Sequence, residues 1–76
     1  MIQVEQLLTA LGGAVNITSL EPCITRLRIQ VSDVTAVDDT ALRQAGAFGV
    51  VCSGRIVQVI VGPAAEEIAA TLDGMR

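Results

Sequence analysis

A short stretch of alternating side chains, residues 24–31, constrains the fold more than any other part of this 76-residue chain. Side chains of a β-strand point alternately to its two faces, so residues two apart share a face. The face that we expect to contact a core consists of Leu27, Ile29 and Val31. The face that we expect to be open to solvent or to a ligand consists of Ile24, Arg26, Arg28 and Gln30. The alternation thus predicts a half-buried strand in an antiparallel sheet.

The order of the predicted elements indicates the fold class. Apolar residues at helical spacing, β-branched runs, and glycine or proline at the ends mark each segment. In chain order we predict a helix at 2–11, strands at 15–20 and 24–31, a helix at 38–45, strands at 50–52 and 56–61, and a helix between Pro63 and Gly74. Glu21 and Pro22 predict the turn between the first two strands, because proline cannot donate to a strand ladder. We therefore expect an α+β fold, with a four-stranded, mostly antiparallel sheet and three helices on one face, in the order α-β-β-α-β-β-α.

Composition argues against several classes of function. A single aromatic residue and a net charge of −3 disfavour nucleic-acid binding, which relies on basic surfaces and stacking aromatics. Histidine is absent, which removes the usual general base and the commonest metal ligand. Cys23 and Cys52 are too far apart in sequence for a CxxC pair, so we expect neither a zinc site nor a redox pair. No apolar run is long enough to cross a bilayer and the first residues lack a signal-peptide pattern, so we expect one small cytoplasmic domain over residues 1–76.

We therefore expect the nucleophile of any covalent reaction to be a cysteine sulfur, and Cys23 is the candidate. Pro22 precedes it, and Arg26 and Arg28 follow it on the face that we expect to be open. Positive charge favours the nucleophilic thiolate, and arginine forks match the oxygens of a phosphoryl group. The alternative is a small buried cysteine beside a solvated strand face, and the residues alone leave both interpretations open. We interpret Cys52, which lies next to a turn, as a strand residue without chemical importance.

The motif Cys-Ile-Thr-Arg-Leu-Arg at residues 23–28 resembles the active-site motif of the IIB domain of the bacterial phosphotransferase system (PTS), of the glucose and N-acetylglucosamine type. The resemblance continues in the expected order over most of the chain. It covers residues 11–13, 16–20, 23–28, 46–50 and 57–63. Two positions depart from the family pattern, in which aspartate is common where this chain has Glu21 and alanine where it has Pro22.

The resemblance implies a phosphoryl carrier of a sugar PTS, and hence a sugar phosphotransferase component without a cofactor or a metal. Cys23 would take the phosphoryl group from a phosphohistidine of a IIA partner and become phosphocysteine. A membrane-embedded IIC partner would then present a sugar hydroxyl as the acceptor, at the inner face of the cell membrane. Arg26 and Arg28 are the implied catalytic partners of the cysteine. Thr25 and Gln58 are expected to contact the phosphoryl group.

Two other classes of function stay open at this point. Cys23 could serve in thiol redox chemistry, for which Cys52 would have to act as the resolving cysteine. Alternatively, the chain could be a non-catalytic anion-binding or regulatory α/β module in which the cysteine is incidental. Under the carrier hypothesis, uncharged residues near the motif are the expected contact patch for the partners, namely Ile24, Ala47, Phe48 and Val50.

Overall fold

The computed structural model describes residues 2–76 as a sheet of four strands with three α-helices on one face. In chain order the elements are α1 (Val4–Ala10), β1 (Ile17–Cys23), β2 (Arg26–Val31), α2 (Asp39–Gln44), β3 (Gly49–Ser53), β4 (Ile56–Ile60) and α3 (Ala65–Gly74). Single turns of 3-10 helix lie at Ala14–Asn16 and Val34–Ala36. The predicted α+β class and element order are confirmed. Within this described range, no helix has the length and apolar character needed to cross a membrane.

The strands are ordered β1-β2-β4-β3, and every neighbouring pair is antiparallel. The pairs β1–β2 and β3–β4 are hairpins with two-residue connections, and the two hairpins join through β2 and β4. The strands β1 and β3 are therefore the edges of the sheet. Cross-strand partners share a face, so the register decides which side chains meet. Leu27 lies opposite Val59 and Ile29 lies opposite Val57, and all four are fully buried.

Each helix contributes apolar side chains to a core that lies on one side of the sheet. The fully buried leucines of the helices are Leu7 in α1, Leu42 in α2 and Leu72 in α3. The alternation predicted for β2 is confirmed, because its apolar positions are buried and its polar positions are exposed. The opposite face of the sheet, which carries Arg26 and Arg28, is open to solvent. This open face is where the predicted site residues lie.

The first hairpin differs from the prediction. Strand β1 continues through Glu21 and Pro22 to Cys23, and the turn is formed by Ile24 and Thr25. The prediction of a turn at Glu21-Pro22 is therefore wrong. Proline is tolerated here because β1 is an edge strand. The backbone nitrogen of an edge residue can point to solvent, where no N–H is needed for the ladder. Ile24 is accordingly a turn residue and not part of the open face of β2.

A buried asparagine ties three segments of the chain together. The side-chain amide of Asn16 donates to the carbonyls of Leu11 (2.8 Å) and Asp33 (3.0 Å). Its Oδ1 accepts from the backbone N–H of Asp33 at 2.9 Å. Hydrogen bonds from the hydroxyl and the backbone N–H of Thr35 in turn hold the pKa of the Asp33 carboxyl below its ordinary value of 3.8. The end of α1 and the segment after β2 are thereby fixed at the start of β1.

Replacing Asn16 with alanine should lower the free energy of unfolding by about 2–3 kcal/mol, because three backbone groups lose their partners away from bulk water. Urea unfolding followed by circular dichroism measures this change. Thr18→Ala is the matched control, since Thr18 makes one exposed side-chain hydrogen bond, at 3.1 Å to the carbonyl of Gln30. We expect that control to lose less than about 0.5 kcal/mol. Equal losses in the two variants would show that the buried position of Asn16 has no special importance.

Candidate functional site

Two hairpin turns close opposite ends of the sheet, and they share one backbone form. The turn Ile24-Thr25 connects β1 to β2, and the turn Gly54-Arg55 connects β3 to β4. In each turn only the first residue has a positive φ, which is 58° at Ile24 and 60° at Gly54. This pattern is typical of a type II′ turn, in which glycine is preferred at the first position. A β-branched residue in that place is strained by about 1–2 kcal/mol.

The strained turn is held by the segment that follows β4. The carbonyl of Thr25 accepts hydrogen bonds from the backbone N–H groups of Val61 and Gly62, each at 2.9 Å. The corresponding carbonyl in the other turn, that of Arg55, accepts from the backbone N–H of Val31 at 2.9 Å. The turn beside Cys23 is thus fixed to the body of the sheet although it protrudes from the end of it.

Cys23 is exposed and lies directly opposite Arg26 in the ladder between β1 and β2. Opposed residues of antiparallel strands have Cα atoms about 5 Å apart, and their side chains share a face. Arg28 follows on the same face, about 7 Å further along β2. The register therefore brings the thiol and the two guanidinium groups together at one end of the open face. The cysteine reaches this place as the last residue of β1, and not as a residue that follows the turn predicted at Glu21-Pro22.

Gln58 on β4 joins this group of side chains. It lies opposite Arg28, and its Oε1 accepts a hydrogen bond from Nη1 of Arg26 at 2.9 Å. This diagonal bond across two strands orients the Arg26 guanidinium. The ion pairs of residues 2–76 lie in and beyond the helices and involve neither site arginine. Glu21 lies opposite Arg28 in the β1–β2 ladder, but no carboxylate of residues 2–76 forms an ion pair with either arginine, so both guanidinium groups can receive an anion.

All five residues that the sequence singles out lie around this end of the open face, namely Cys23, Thr25, Arg26, Arg28 and Gln58. The thiol is exposed at the end of an edge strand. Grooves of about 470 Å³ are present between α1 and α2 and beside Phe48, and neither includes Cys23. Sites for small free substrates are usually concave. An open site suits a reaction in which a second macromolecule supplies the remaining walls.

Exposed apolar side chains border the site. Ile24 is 84% exposed in the turn, and Phe48 is 74% exposed just before β3. The other two predicted contact residues are placed elsewhere, since Ala47 is buried in the core and Val50 packs against that core. Val50 faces the core because side chains alternate between the two faces of β3 and Val50 pairs with a buried residue of β4. Val51, one residue further, shares the face of Arg28 and is exposed.

Cys52 lies on the opposite edge of the sheet from Cys23. It belongs to β3, whereas Cys23 ends β1, and both thiols are free. Three strand spacings separate the two edges, or roughly 14 Å. The Cα atoms of a disulfide must lie within about 7 Å of each other. The geometry therefore excludes a disulfide within one molecule.

A family model described as phosphotransferase system, EIIB, matches residues 5–38. That segment includes all but the first residue of α1, and the first hairpin with its strained turn. The N-acetylglucosamine-specific EIIB component of the PTS of Streptomyces coelicolor is 46% identical over 71 residues, covering 93% of this chain and 92% of the relative. The chain belongs to the EIIB family of the phosphotransferase system. Its predicted family membership is confirmed.

A second relative agrees with this assignment, and a solved structure agrees with the fold. The N-acetylglucosamine-specific EIICB component of Bacillus subtilis is 48% identical over 71 residues, covering 87% of this EIIB chain and 16% of the longer protein. The solved structure of one domain of a PTS IIabc component from Clostridium difficile has a TM-score of 0.74 at 24% identity. That match covers 95% of this chain and 80% of the other, and it supports the fold alone.

The sequence pattern misses one residue of the site, Gly62. The pair Gly62-Pro63 predicts the start of the last helix, but α3 begins at Ala65, after a left-handed backbone at Gly62 with φ 88°. A backbone hydrogen bond from this position to a distant turn leaves no trace in composition or periodicity. The glycine itself is the available signal, since it marks a place where the chain needs unusual backbone freedom.

Proposed function

We propose that this EIIB chain is a phosphoryl carrier in which Cys23 is the acceptor. Cys23 takes the phosphoryl group from a phosphohistidine of an EIIA partner and passes it to a sugar of the N-acetylglucosamine type, bound by a membrane EIIC partner. The observation that carries the proposal is the pairing of the exposed Cys23 with Arg26, with Arg28 next on the same open face. On this proposal residues 1–76 are a single EIIB domain that acts in the cytoplasm, at the inner face of the membrane.

In the loading step, the sulfur of Cys23 gives up its proton and attacks phosphorus in line with the bond to the histidine nitrogen. The S–P bond forms and the N–P bond breaks. Its electron pair returns to the nitrogen, which takes up a proton, so the loss of the thiol proton is balanced. Such a transfer needs positioning and positive charge around the phosphoryl oxygens more than it needs proton transfer. Arg26 and Arg28 supply the charge. The hydroxyl of Thr25 and the backbone N–H groups of the turn are the additional donors beside the sulfur.

In the delivery step, a sugar hydroxyl oxygen forms the new O–P bond as the S–P bond breaks. The sulfur leaves as a thiolate, and the hydroxyl proton passes to a base of the membrane partner or to water. The Arg26 guanidinium, oriented by its 2.9 Å bond from Nη1 to Gln58, holds the oxygens of the group in transit. A fixed guanidinium stabilises the transition state without having to reorganise during the reaction.

The relatives support the choice of sugar and partner. The proteins from Streptomyces coelicolor and Bacillus subtilis are both named as N-acetylglucosamine-specific, and the second combines EIIC and EIIB in one component. The redox alternative is disfavoured because Cys52 lies on the far edge of the sheet from Cys23. The remaining alternative, a non-catalytic anion-binding module, differs in one respect, since it never carries a covalent phosphoryl group.

Intact-mass measurement tests the proposal. The protein is incubated with phosphoenolpyruvate, the general PTS proteins and an EIIA protein. We expect a gain of one phosphoryl group, located by peptide mapping on the segment that contains Cys23. Membranes with an EIIC partner and N-acetylglucosamine should then remove the group faster than the same membranes with glucose. A folded protein that gains no mass with several EIIA partners would reject the carrier role and favour the anion-binding module.

A further inference from the structure

The turn beside Cys23 has a support that the other hairpin lacks. The two turns have the same backbone form, and in each the carbonyl of the second residue accepts a bond that extends the pairing of β2 with β4. These bonds come from Val61 to the first turn and from Val31 to the second, both at 2.9 Å. Within residues 2–76, only the first turn receives an additional backbone bond, from the N–H of Gly62 to the carbonyl of Thr25. The extra bond thus occurs at the turn that is strained and adjacent to the thiol.

Position 62 is suited to glycine for two independent reasons. Its φ of 88° is a conformation that side chains of L-residues rarely adopt. In addition, a Cβ atom there would lie 3.1 Å from Cε2 of Phe48, whose ring packs directly on the glycine. The left-handed backbone lets the consecutive N–H groups of Val61 and Gly62 converge on one oxygen, as in the backbone concavities that bind anions.

We propose that Gly62 is a positioning residue for Cys23. Its N–H holds the carbonyl of Thr25, which keeps Ile24 in the left-handed conformation and keeps the sulfur at the end of β1 opposite Arg26. Phe48 supports Gly62 from the other side by packing on it. The inference rests on the proposed role of Cys23 as the phosphoryl acceptor. It assigns a part in that reaction to a residue that touches neither the sulfur nor the phosphoryl group.

Two matched glycine variants test the inference. Gly62→Ala and Gly54→Ala both place a methyl group on a positive-φ backbone, but Gly54 has no atom within 4 Å of its Cβ position and closes the hairpin remote from Cys23. We expect Gly62→Ala to slow the loading of Cys23 about tenfold at saturating EIIA, since small displacements of a reacting group have large effects on rate. We expect Gly54→Ala to load within about twofold of the parent, despite a comparable loss of stability. Equal effects of the two variants on loading would overturn the inference.

A second measurement does not depend on phosphoryl transfer. Amide hydrogen exchange at position 62 should become at least about tenfold faster in Gly62→Ala and stay unchanged in Gly54→Ala, because only the first variant weakens the bond to Thr25. If the parent takes up no phosphoryl group, the proposed function fails, and the exchange contrast still decides whether position 62 holds the turn. Unchanged exchange at position 62 would overturn the inference even in a protein that carries phosphate.

Relief of the strain provides the third measurement and a variant that should fold readily. Ile24→Gly places glycine where the turn form prefers it, as at Gly54 in the other hairpin. In the Ile24→Gly background, Gly62→Ala should slow loading by less than about threefold, because the turn no longer needs the extra bond to keep its shape. A full tenfold slowing in that background would contradict the inference, since it would show that the effect of Gly62→Ala on loading does not act through the conformation of the turn.

Discussion

Cys23→Ser should remain folded and take up no phosphoryl group, with a fall in loading rate of at least about 1,000-fold. A serine hydroxyl is a far weaker acid and nucleophile than a thiol, and the chain has no histidine to act as its base. Cys23 is exposed at the end of an edge strand, so the change of sulfur to oxygen removes little packing. Quenched-flow samples analysed by intact mass give the rate, and circular dichroism verifies the fold.

Cys52→Ser is the control for this experiment, because Cys52 is also an exposed free thiol on an edge strand. We expect it to load within about twofold of the wild-type rate. The opposite result, with loading lost in Cys52→Ser and kept in Cys23→Ser, would place the acceptor on the wrong edge of the sheet for Arg26 and Arg28. Loss in both variants would indicate that the two thiols act together, contrary to their separation.

Arg28→Gln and Arg26→Gln should each slow delivery to the sugar by roughly 100-fold, or about 2.7 kcal/mol in barrier height, and slow loading by less than about fivefold. During loading, the phosphoryl group arrives surrounded by donor groups of the EIIA protein. During delivery, the sugar hydroxyl brings no positive charge, so the two arginines are the principal cations from this chain. Loading is measured from the gain of mass, and delivery from the decay of preloaded protein mixed with EIIC membranes and sugar.

Arg55→Gln is the matched control for the arginine variants. Arg55 has the same exposed guanidinium, but it lies in the turn at the opposite end of the sheet. It should leave both half-reactions unchanged within about twofold. Arg28→Lys keeps the positive charge and loses the planar fork of hydrogen-bond donors. Its delivery rate therefore separates the contribution of the charge from that of the fork. Equal losses in loading and delivery for the Arg26 and Arg28 variants would contradict the proposal that these arginines act mainly in delivery.

Local periodicity was sufficient to predict the parts of the structure that depend on one element at a time. The alternation in β2 places Arg26 and Arg28 on one face and Leu27 and Ile29 on the other, as the structure has them. The start of α2 is predicted equally well, since the helix expected from residue 38 begins at Asp39, and the side chain of Asp38 caps it by accepting from the N–H of Ala41 at 3.1 Å. These features rest on side-chain direction and short-range hydrogen bonds, which sequence spacing determines.

Features that depend on two elements at once were not predicted from the sequence. The turn position differs because the tolerance of Pro22 depends on β1 being an edge, which is a property of the whole sheet. Val50 faces the core and not the expected partners because the pairing register decides which of two similar neighbouring residues faces the core. The buried role of Asn16 depends likewise on carbonyls from two segments that are distant in sequence.

The strand order has a consequence for how the protein folds. Each hairpin can form from neighbouring residues, because its two strands are joined by two residues and its loop-closure entropy is small. The pairing of β2 with β4 is different, since it joins segments from the two halves of the chain. Arg26 and Gln58 belong to different hairpins, and Gly62, which supports the turn of the first hairpin, lies two residues beyond the end of the second. The first hairpin alone contains Cys23, Arg26 and Arg28, but the bond that orients Arg26 and the bond that supports the turn both require the non-local pairing of β2 with β4.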